Sequence, residues 1–182
     1  MPTALGFRTH TGWTVMCIVR DGTPPALIAR TRVQLCPPEV PADAYHAAAA
    51  DREHLEKAEK LIARVIDVSV KSARAAIRSA ADDVVAIALV AEPRDLPGLS
   101  RILGSHALIH SAEGDMYREV MAEAGEAEGL PVFHFSSVEL KGDARQDLLR
   151  GFGESVGTPW QRDHKEAALA AVKALEQVSA RR

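Results

Sequence analysis

Alternating apolar and polar positions mark the first 35 residues as β-strands. The positions that share a face are Trp13, Val15, Cys17 and Val19 in one run, and Leu27, Val33 and Leu35 in a later one. Turn-forming Gly, Asp and Pro residues separate the runs at 11–12 and 21–25. A repeat of two is typical of strands with one buried face. The pattern therefore predicts a three-stranded antiparallel meander over residues 3–9, 12–20 and 26–35.

The repeat becomes helical after the proline-rich segment 36–41. The three prolines of this segment prevent regular structure and imply an extended connection. Between residues 43 and 82, apolar side chains recur at spacings of three and four, which is typical of an amphipathic helix. The recurring positions are Leu55, Ala58, Ile62, Val65, Ile66 and Val70. We expect a short helix at 45–50, followed by a long one.

Strands and helices alternate in the rest of the chain. Residues 84–91 form a continuous apolar run of strand length, which indicates a strand buried on both faces. Helical spacing returns at 96–127, with a break near Gly104 and Ser105, and another short apolar strand follows at 130–135. The remaining predicted elements are a small helix at 144–149, a flexible glycine-bearing segment at 151–157, and a last helix at 159–179 with Thr158 as its N-cap and Pro159 as its first residue.

The predicted order is β, β, β, α, β, α, β, α. Three antiparallel strands, followed by strands that alternate with helices, describe an α/β protein with a mixed sheet and helices on both faces. This is the order of the ribonuclease-H-like fold, which is shared by Holliday-junction resolvases of the RuvC type and by each half of actin-like ATPases. With 182 residues, of which 47% are hydrophobic, the chain suits a single domain over residues 1–182.

Charge and composition narrow the classes of partner. The net charge of −3 and the pI near 6.2 do not favour nucleic-acid binding, which normally uses clustered Lys and Arg. We find no leader-like start and no apolar run approaching the roughly 20 residues that cross a bilayer, so we expect a cytoplasmic protein without membrane contact. The two cysteines, Cys17 and Cys36, are expected to be free and buried. The alanine-rich run 167–171 permits close helix packing, on the sheet or in a homo-oligomer.

The densest group of chemically capable side chains lies in the second long helical region. His106, His110 and Glu113 stand at positions i, i+4 and i+7, so one helical face carries two imidazoles and a carboxylate. Such a set transfers protons or binds a divalent metal, and these three residues are our candidate catalytic and metal-binding residues. The structural alternative is that Ser105 caps the helix and Glu113 pairs with Arg118. Both interpretations stay open.

Short motifs spread over nearly the whole chain match a known family. They are residues 4–8, 10–13, 45–48, 105–114, 117–118 and 157–160, together with Asp163, Lys165 and 167–168. In these motifs the chain resembles an uncharacterised bacterial family, of actinobacterial type, with a ribonuclease-H-like or RuvC-like fold. The resemblance implies the fold and brings no established activity.

The wider ribonuclease-H-like superfamily implies a metal centre at defined positions. Its nucleases hold two divalent ions between carboxylates on the first strand, the fourth strand and a helix. In this chain Arg8, within Gly6-Phe7-Arg8, stands where the first acid is expected. Glu92, after the fourth predicted strand, and Asp163 or Glu166, in the last helix, resemble the other two positions. Because a guanidinium pairs well with carboxylates, Arg8 would replace the charge of a metal and leave the two-metal centre degenerate.

Arg8 and His10 share a strand face and, with Arg118, form a candidate anion-binding group. Our preferred hypothesis combines them with His106, His110 and Glu113 in one polar site that binds or processes a small anionic or phosphate-bearing ligand. The alternatives are a non-catalytic interaction or scaffold protein and a divalent-metal-dependent nuclease. Whether the chain is an enzyme stays open, and a divalent metal is the one cofactor that the residues suggest.

Overall fold

Five strands form one mixed sheet in the part of the chain that the structure describes. The structure is a computed structural model, and the described residues are 1–92 and 94–181. The strands are β1 (Thr3–His10), β2 (Trp13–Arg20), β3 (Ala26–Gln34), β4 (Val84–Val90) and β5 (Val132–Phe135). The helices are α1 (Ala44–Ala49), α2 (Leu55–Ala80), α3 (Leu99–Leu103), α4 (His106–Ala127), α5 (Ser137–Lys141), α6 (Gln146–Val156) and α7 (Arg162–Ala180). Among these described helices we find none with the length and apolar character that a membrane span requires.

β1 lies at the centre of the sheet, whose strand order is β3-β2-β1-β4-β5. β2 pairs antiparallel with both β1 and β3, whereas β4 pairs parallel with both β1 and β5. The meander and the alternating strands and helices predicted from the sequence are present, so the α/β mixed-sheet class is confirmed. Because β1 and β4 are parallel neighbours, the residues at their carboxyl ends meet at one edge of the sheet.

Side chains alternate between the two faces of β1, and each face belongs to a different apolar core. Leu5 and Phe7 are fully buried in the core that contains α1, α2 and α4. Ala4 belongs to the core on the opposite face, which contains α5, α6 and α7. Since side chains alternate along a strand, Gly6 and Arg8 share the face of Ala4. Arg8 therefore lies on the side of the sheet that α7 covers.

Small residues let α7 pack directly on β1. The alanine-rich segment 167–171 of α7 is buried throughout. The backbone of Ala167 lies so close to Gly6 that a Cβ at position 6 would overlap the Ala167 carbonyl oxygen. Gly6 is therefore required by the approach of another backbone. This approach places the first turns of α7 beside the carboxyl end of β1.

The segment after β5 is more helical than predicted. The sequence did not indicate α5, and α6 continues to Val156 through Gly151 and Gly153, where we expected a flexible segment. Leu149 and Phe152 of α6 are buried in the same core as α7. Burial of this apolar face stabilises the helix and outweighs the low helix propensity of the two glycines.

The last helix begins later than predicted, and the capping role assigned to Thr158-Pro159 is wrong. α7 starts at Arg162, with Gln161 in the N-cap position. The indole Nε1 of Trp160 donates a hydrogen bond to the carbonyl oxygen of Leu149 at 2.9 Å. This contact ties the segment before α7 to α6.

The two cysteines are free and lie on opposite faces of the sheet. Cys17 belongs to the core beside α7, whereas Cys36 belongs to the core beside α2 and α4. Burial raises the pKa of the Cys17 thiol to about 12 and also raises the pKa of Cys36. Both thiols are therefore neutral at physiological pH and behave as small apolar side chains.

Replacing Gly6 tests the close approach of α7 to β1. We expect Gly6→Ala to lower the free energy of unfolding by about 3 kcal/mol or more, because the added methyl group overlaps backbone. The matched control is Gly151→Ala in α6, where a Cβ meets no atom within 4 Å and should stabilise by about 0.5–1 kcal/mol. Urea unfolding followed by circular dichroism measures both, and equal stabilities of Gly6→Ala and the unaltered protein would contradict the packing described.

Candidate functional site

Charged side chains converge where β1 and β4 end. Arg8 lies on β1, Glu92 follows β4, and Asp163 and Glu166 lie in the first turns of α7. The Nε atom of Arg8 lies 3.2 Å from Oε2 of Glu166 and 3.8 Å from Oδ1 of Asp163. These ion pairs connect the central strand to α7. Three of the four positions singled out from the sequence are thus joined by direct contacts.

Glu166 is the most buried carboxylate of this group, with 7% of its surface exposed. Its Oε1 accepts a hydrogen bond from Nε of Arg162 at 2.6 Å, and its Oε2 accepts one from the hydroxyl of Ser137 at 3.2 Å. Arg8 adds a second positive charge beside Oε2. A buried carboxylate requires such partners, and Glu166 has them on both oxygens.

His10 joins the same network through Asp163. Its Nε2 lies at hydrogen-bond distance, 2.9 Å, from Oδ2 of Asp163. The imidazole stacks on the indole of Trp13 with 4.2 Å between ring centroids, and the Arg32 guanidinium lies 3.9 Å from the centroid of that indole. Asp163 therefore bridges His10 and Arg8, two of the residues predicted to bind a ligand.

A cavity of about 140 Å³ lies beside this network. We call it the arginine cavity, and its lining residues are Arg8, Val90, Ala91, Glu92, Arg94, Arg118 and Ser137. Burial, and then the neighbouring charges of Arg94 and Arg8, lower the pKa of Arg118. Arg118 also forms an ion pair with Asp115. Among the described residues, three guanidinium groups and one carboxylate, Glu92, thus line a small space, and this arrangement can accept an anion.

A larger cleft of about 510 Å³ adjoins the arginine cavity. The two share Ala91, Glu92, Arg94 and Arg118, and the cleft extends along α4 to His134 on β5. A ligand larger than a single phosphate group would therefore find further space on the same side of Arg118.

A second group of polar side chains lies on α1 and α4. Ring nitrogens of His46, His106 and His110 lie within 4.8 Å of one another, and we call these residues the histidine cluster. Glu113, predicted as a third ligand beside the two helical histidines, lies behind them: its Oε1 is 2.9 Å from Nδ1 of His46. Sequence spacing did not indicate His46 as a member, because it is about 60 residues away on a different helix.

The polar site expected from the sequence divides into two clusters. Arg8 lies on the face that α7 covers, whereas α4 belongs to the core on the opposite face. Arg118 is the α4 residue that lines the arginine cavity with Arg8. It pairs with Asp115, while Glu113 pairs with a histidine instead, and Ser105 occupies the N-cap position of α4 without a side-chain hydrogen bond. The predicted pair of Glu113 with Arg118 and the predicted side-chain cap by Ser105 are therefore both wrong.

Comparison with solved structures shows the fold. The chain is similar to RuvC of T. thermophilus in complex with a Holliday junction substrate, with 13% identity, a TM-score of 0.58, and coverage of 99% of this chain and 96% of that one. It is also similar to a second Thermus thermophilus RuvC structure, with 14% identity, a TM-score of 0.52, and coverage of 98% and 96%. No protein-family model matches the chain, and no curated protein does. Both similarities extend over nearly the whole chain, and they identify a RuvC-like, ribonuclease-H-like fold.

The ion pair between Arg8 and Glu166 predicts an energetic coupling between the two residues. We expect Arg8→Met to lower the free energy of unfolding by about 1–3 kcal/mol, because it leaves a buried carboxylate with less positive charge around it. In a double-mutant cycle with Glu166→Gln, the coupling energy should reach about 1 kcal/mol or more. Arg78→Met, which breaks an exposed pair with Glu128, is the control and should cost less than about 1 kcal/mol. Strictly additive effects of Arg8→Met and Glu166→Gln would contradict the contact.

Proposed function

We propose that this chain is a RuvC-like protein with a degenerate two-metal centre, and that it binds a small phosphate-bearing anion in the arginine cavity. The observation that carries the proposal is the lining: its described residues include three guanidinium groups, Arg8, Arg94 and Arg118, and one carboxylate, Glu92. The carboxylates paired with Arg8 and Arg118 lie outside this lining. Guanidinium groups bind phosphate oxygens through paired hydrogen bonds. A cavity of about 140 Å³ suits a single phosphate group better than a polymer.

The residues at the sheet edge fit a two-metal centre poorly. A divalent ion there would need free carboxylate oxygens, yet Arg8, Arg162 and Ser137 surround both oxygens of Glu166. Asp163 is engaged by His10 and lies near Arg8. The Arg8 guanidinium thus takes the neutralising role that metal ions have in two-metal nucleases.

Within this proposal Arg8 and Arg118 hold the anion, and His10 positions Asp163 against Arg8. His106, His110 and Glu113, the predicted catalytic residues, belong to the other cluster and are not needed to bind this anion. The arginine cavity is therefore proposed as a binding site.

Two competing functions rest on specific observations. The two ion pairs of Glu166, with Arg8 and Arg162, also suit a rigid scaffold, in which the polar network fixes α7 and the protein only binds partners. The similar RuvC structure is a complex with a Holliday junction, and this similarity suggests the nuclease alternative. The net charge of −3 does not favour nucleic-acid binding. Cleavage of branched DNA with Mg²⁺ or Mn²⁺, abolished by Glu92→Gln, would favour the nuclease.

Three further parts of the proposal come from the sequence. We infer that residues 1–182 act as one domain, that the protein is cytoplasmic, and that it belongs to the bacterial family, of actinobacterial type, that its motifs resemble. The motifs that support the family include Gly6-Phe7-Arg8, His106 to His110 and Tyr117-Arg118.

Inorganic phosphate serves as the probe for the arginine cavity. By isothermal titration calorimetry we expect one saturable site per chain, with affinity reduced at least about ten-fold in Arg118→Met, a loss of roughly 1.4 kcal/mol. Arg78→Met is the control, because Arg78 also pairs with a carboxylate but lies outside the cavity lining, and it should bind like the unaltered protein. Binding without saturation, or unchanged affinity in Arg118→Met, would contradict the proposal.

A further inference from the structure

Three histidines from two helices meet at the surface, on the side of the sheet away from α7. His46 lies on α1, whereas His106 and His110 lie one turn apart at the start of α4. Their ring centroids are 4.4–5.3 Å apart, and all three pairs of rings meet edge to edge or edge to face. His106 and His110 are exposed and His46 is half-buried, so solvent reaches the cluster.

A buried carboxylate orients one of these imidazoles. Glu113 is 2% exposed, and its Oε1 accepts a hydrogen bond from the backbone N–H of His46 at 3.1 Å. The same oxygen lies 2.9 Å from Nδ1 of His46. Because an ionised carboxylate only accepts hydrogen bonds, this contact assigns the ring proton to Nδ1. The lone pair of Nε2 is then free to bind a metal.

One ring nitrogen from each histidine of the cluster lies near enough to the others for all three to converge on one metal ion after small side-chain rotations. With metal–nitrogen bonds of about 2.1 Å, the ligand nitrogens of a tetrahedral zinc site lie roughly 3.4 Å apart. The observed nitrogens lie within 4.8 Å of one another. Since His106 and His110 are exposed, small rotations of their side chains can close the difference.

We propose that the histidine cluster binds one divalent transition metal, zinc or an ion of similar preference, through His46, His106 and His110. Imidazole ligands favour such ions over Mg²⁺ or Ca²⁺. Glu113 holds His46 in place, as carboxylates behind metal-bound histidines commonly do. The fourth coordination position faces solvent and is open to water or a small ligand.

The metal would fix α1 to the start of α4. α1 has six residues and too few hydrogen bonds to be stable alone. Its Tyr45 and Ala49 pack against the small apolar cluster that contains Ile109 and Ala112 of α4. A metal bound across the same contact would stabilise both helices by binding only the folded protein. This site is independent of the arginine cavity, so the failure of either proposal leaves the other standing.

Metal titration of chelator-treated protein tests the site. We expect one Zn²⁺ per chain by calorimetry, a rise in Tm with Zn²⁺, and the visible absorption bands of tetrahedral Co²⁺ when cobalt is used. His110→Ala should lose saturable binding, and Glu113→Gln should weaken it by about ten-fold while the stoichiometry is kept. His54→Ala is the matched control, since His54 precedes α2 outside the cluster, and it should bind like the unaltered protein.

Circular dichroism and Tm of each metal-free variant show whether it is folded before its binding is compared. If the unaltered protein takes up no stoichiometric zinc, the proposal is overturned. It is also overturned if the folded double variant His106→Ala/His110→Ala binds zinc with the affinity of the unaltered protein. A metal-free His110→Ala protein that is folded and has lost the zinc-dependent rise in Tm would support the site.

Discussion

The close approach of α7 to β1 at Gly6 determines where the charged residues of this protein meet. With no side chain at position 6, the backbone of Ala167 rests directly on the central strand. Asp163 and Glu166 lie within about one helical turn before Ala167, so they are placed at the carboxyl end of β1. Arg8 lies there on the same face of the strand as Gly6. The ion pairs of Arg8 depend on this contact, and they hold one of the guanidinium groups that line the arginine cavity.

Carboxylates that converge in a partly buried space need positive charge, and Arg8 provides it. A metal would meet the same need in a two-metal nuclease, but a guanidinium also brings hydrogen-bond donors in a fixed plane. Its neighbours Arg94 and Arg118 then leave the cavity beside it richer in cations than in anions. Arg8 at the end of β1 would therefore account both for the poor fit to a metal centre and for the affinity for anions that we propose.

The sequence predicted the sheet well because its signals are local. The alternation in β2 and the apolar run of β4 depend only on neighbouring residues. The parallel pairing of β1 and β4 then brings Arg8 and Glu92 to one edge of the sheet. Tertiary contacts decided what was missed. Packing of its apolar face makes α6 helical in spite of its two glycines. The segment before α7, which we expected to be helical, is instead tied to α6 by the hydrogen bond from Trp160 to Leu149.

The candidate site shows the same division between local and distant signals. The i, i+4 spacing predicted that His106 and His110 share one face of α4. His46 lies on α1, and no spacing in the sequence links a residue of α1 to α4. Separation of Arg8 from these histidines follows from the side of the sheet on which each helix packs, which a single sequence does not specify.

Mn²⁺ binding to an Arg8→Asp variant, followed by electron paramagnetic resonance, tests most directly whether Arg8 replaces a metal. The measurement uses a His106→Ala/His110→Ala background, so that the histidine cluster does not contribute. If Arg8 fills the place of a metal, Arg8→Asp will bind Mn²⁺ beside Glu92, Asp163 and Glu166, whereas the protein with Arg8 will leave the ion free. Equal Mn²⁺ binding by both proteins would contradict the replacement.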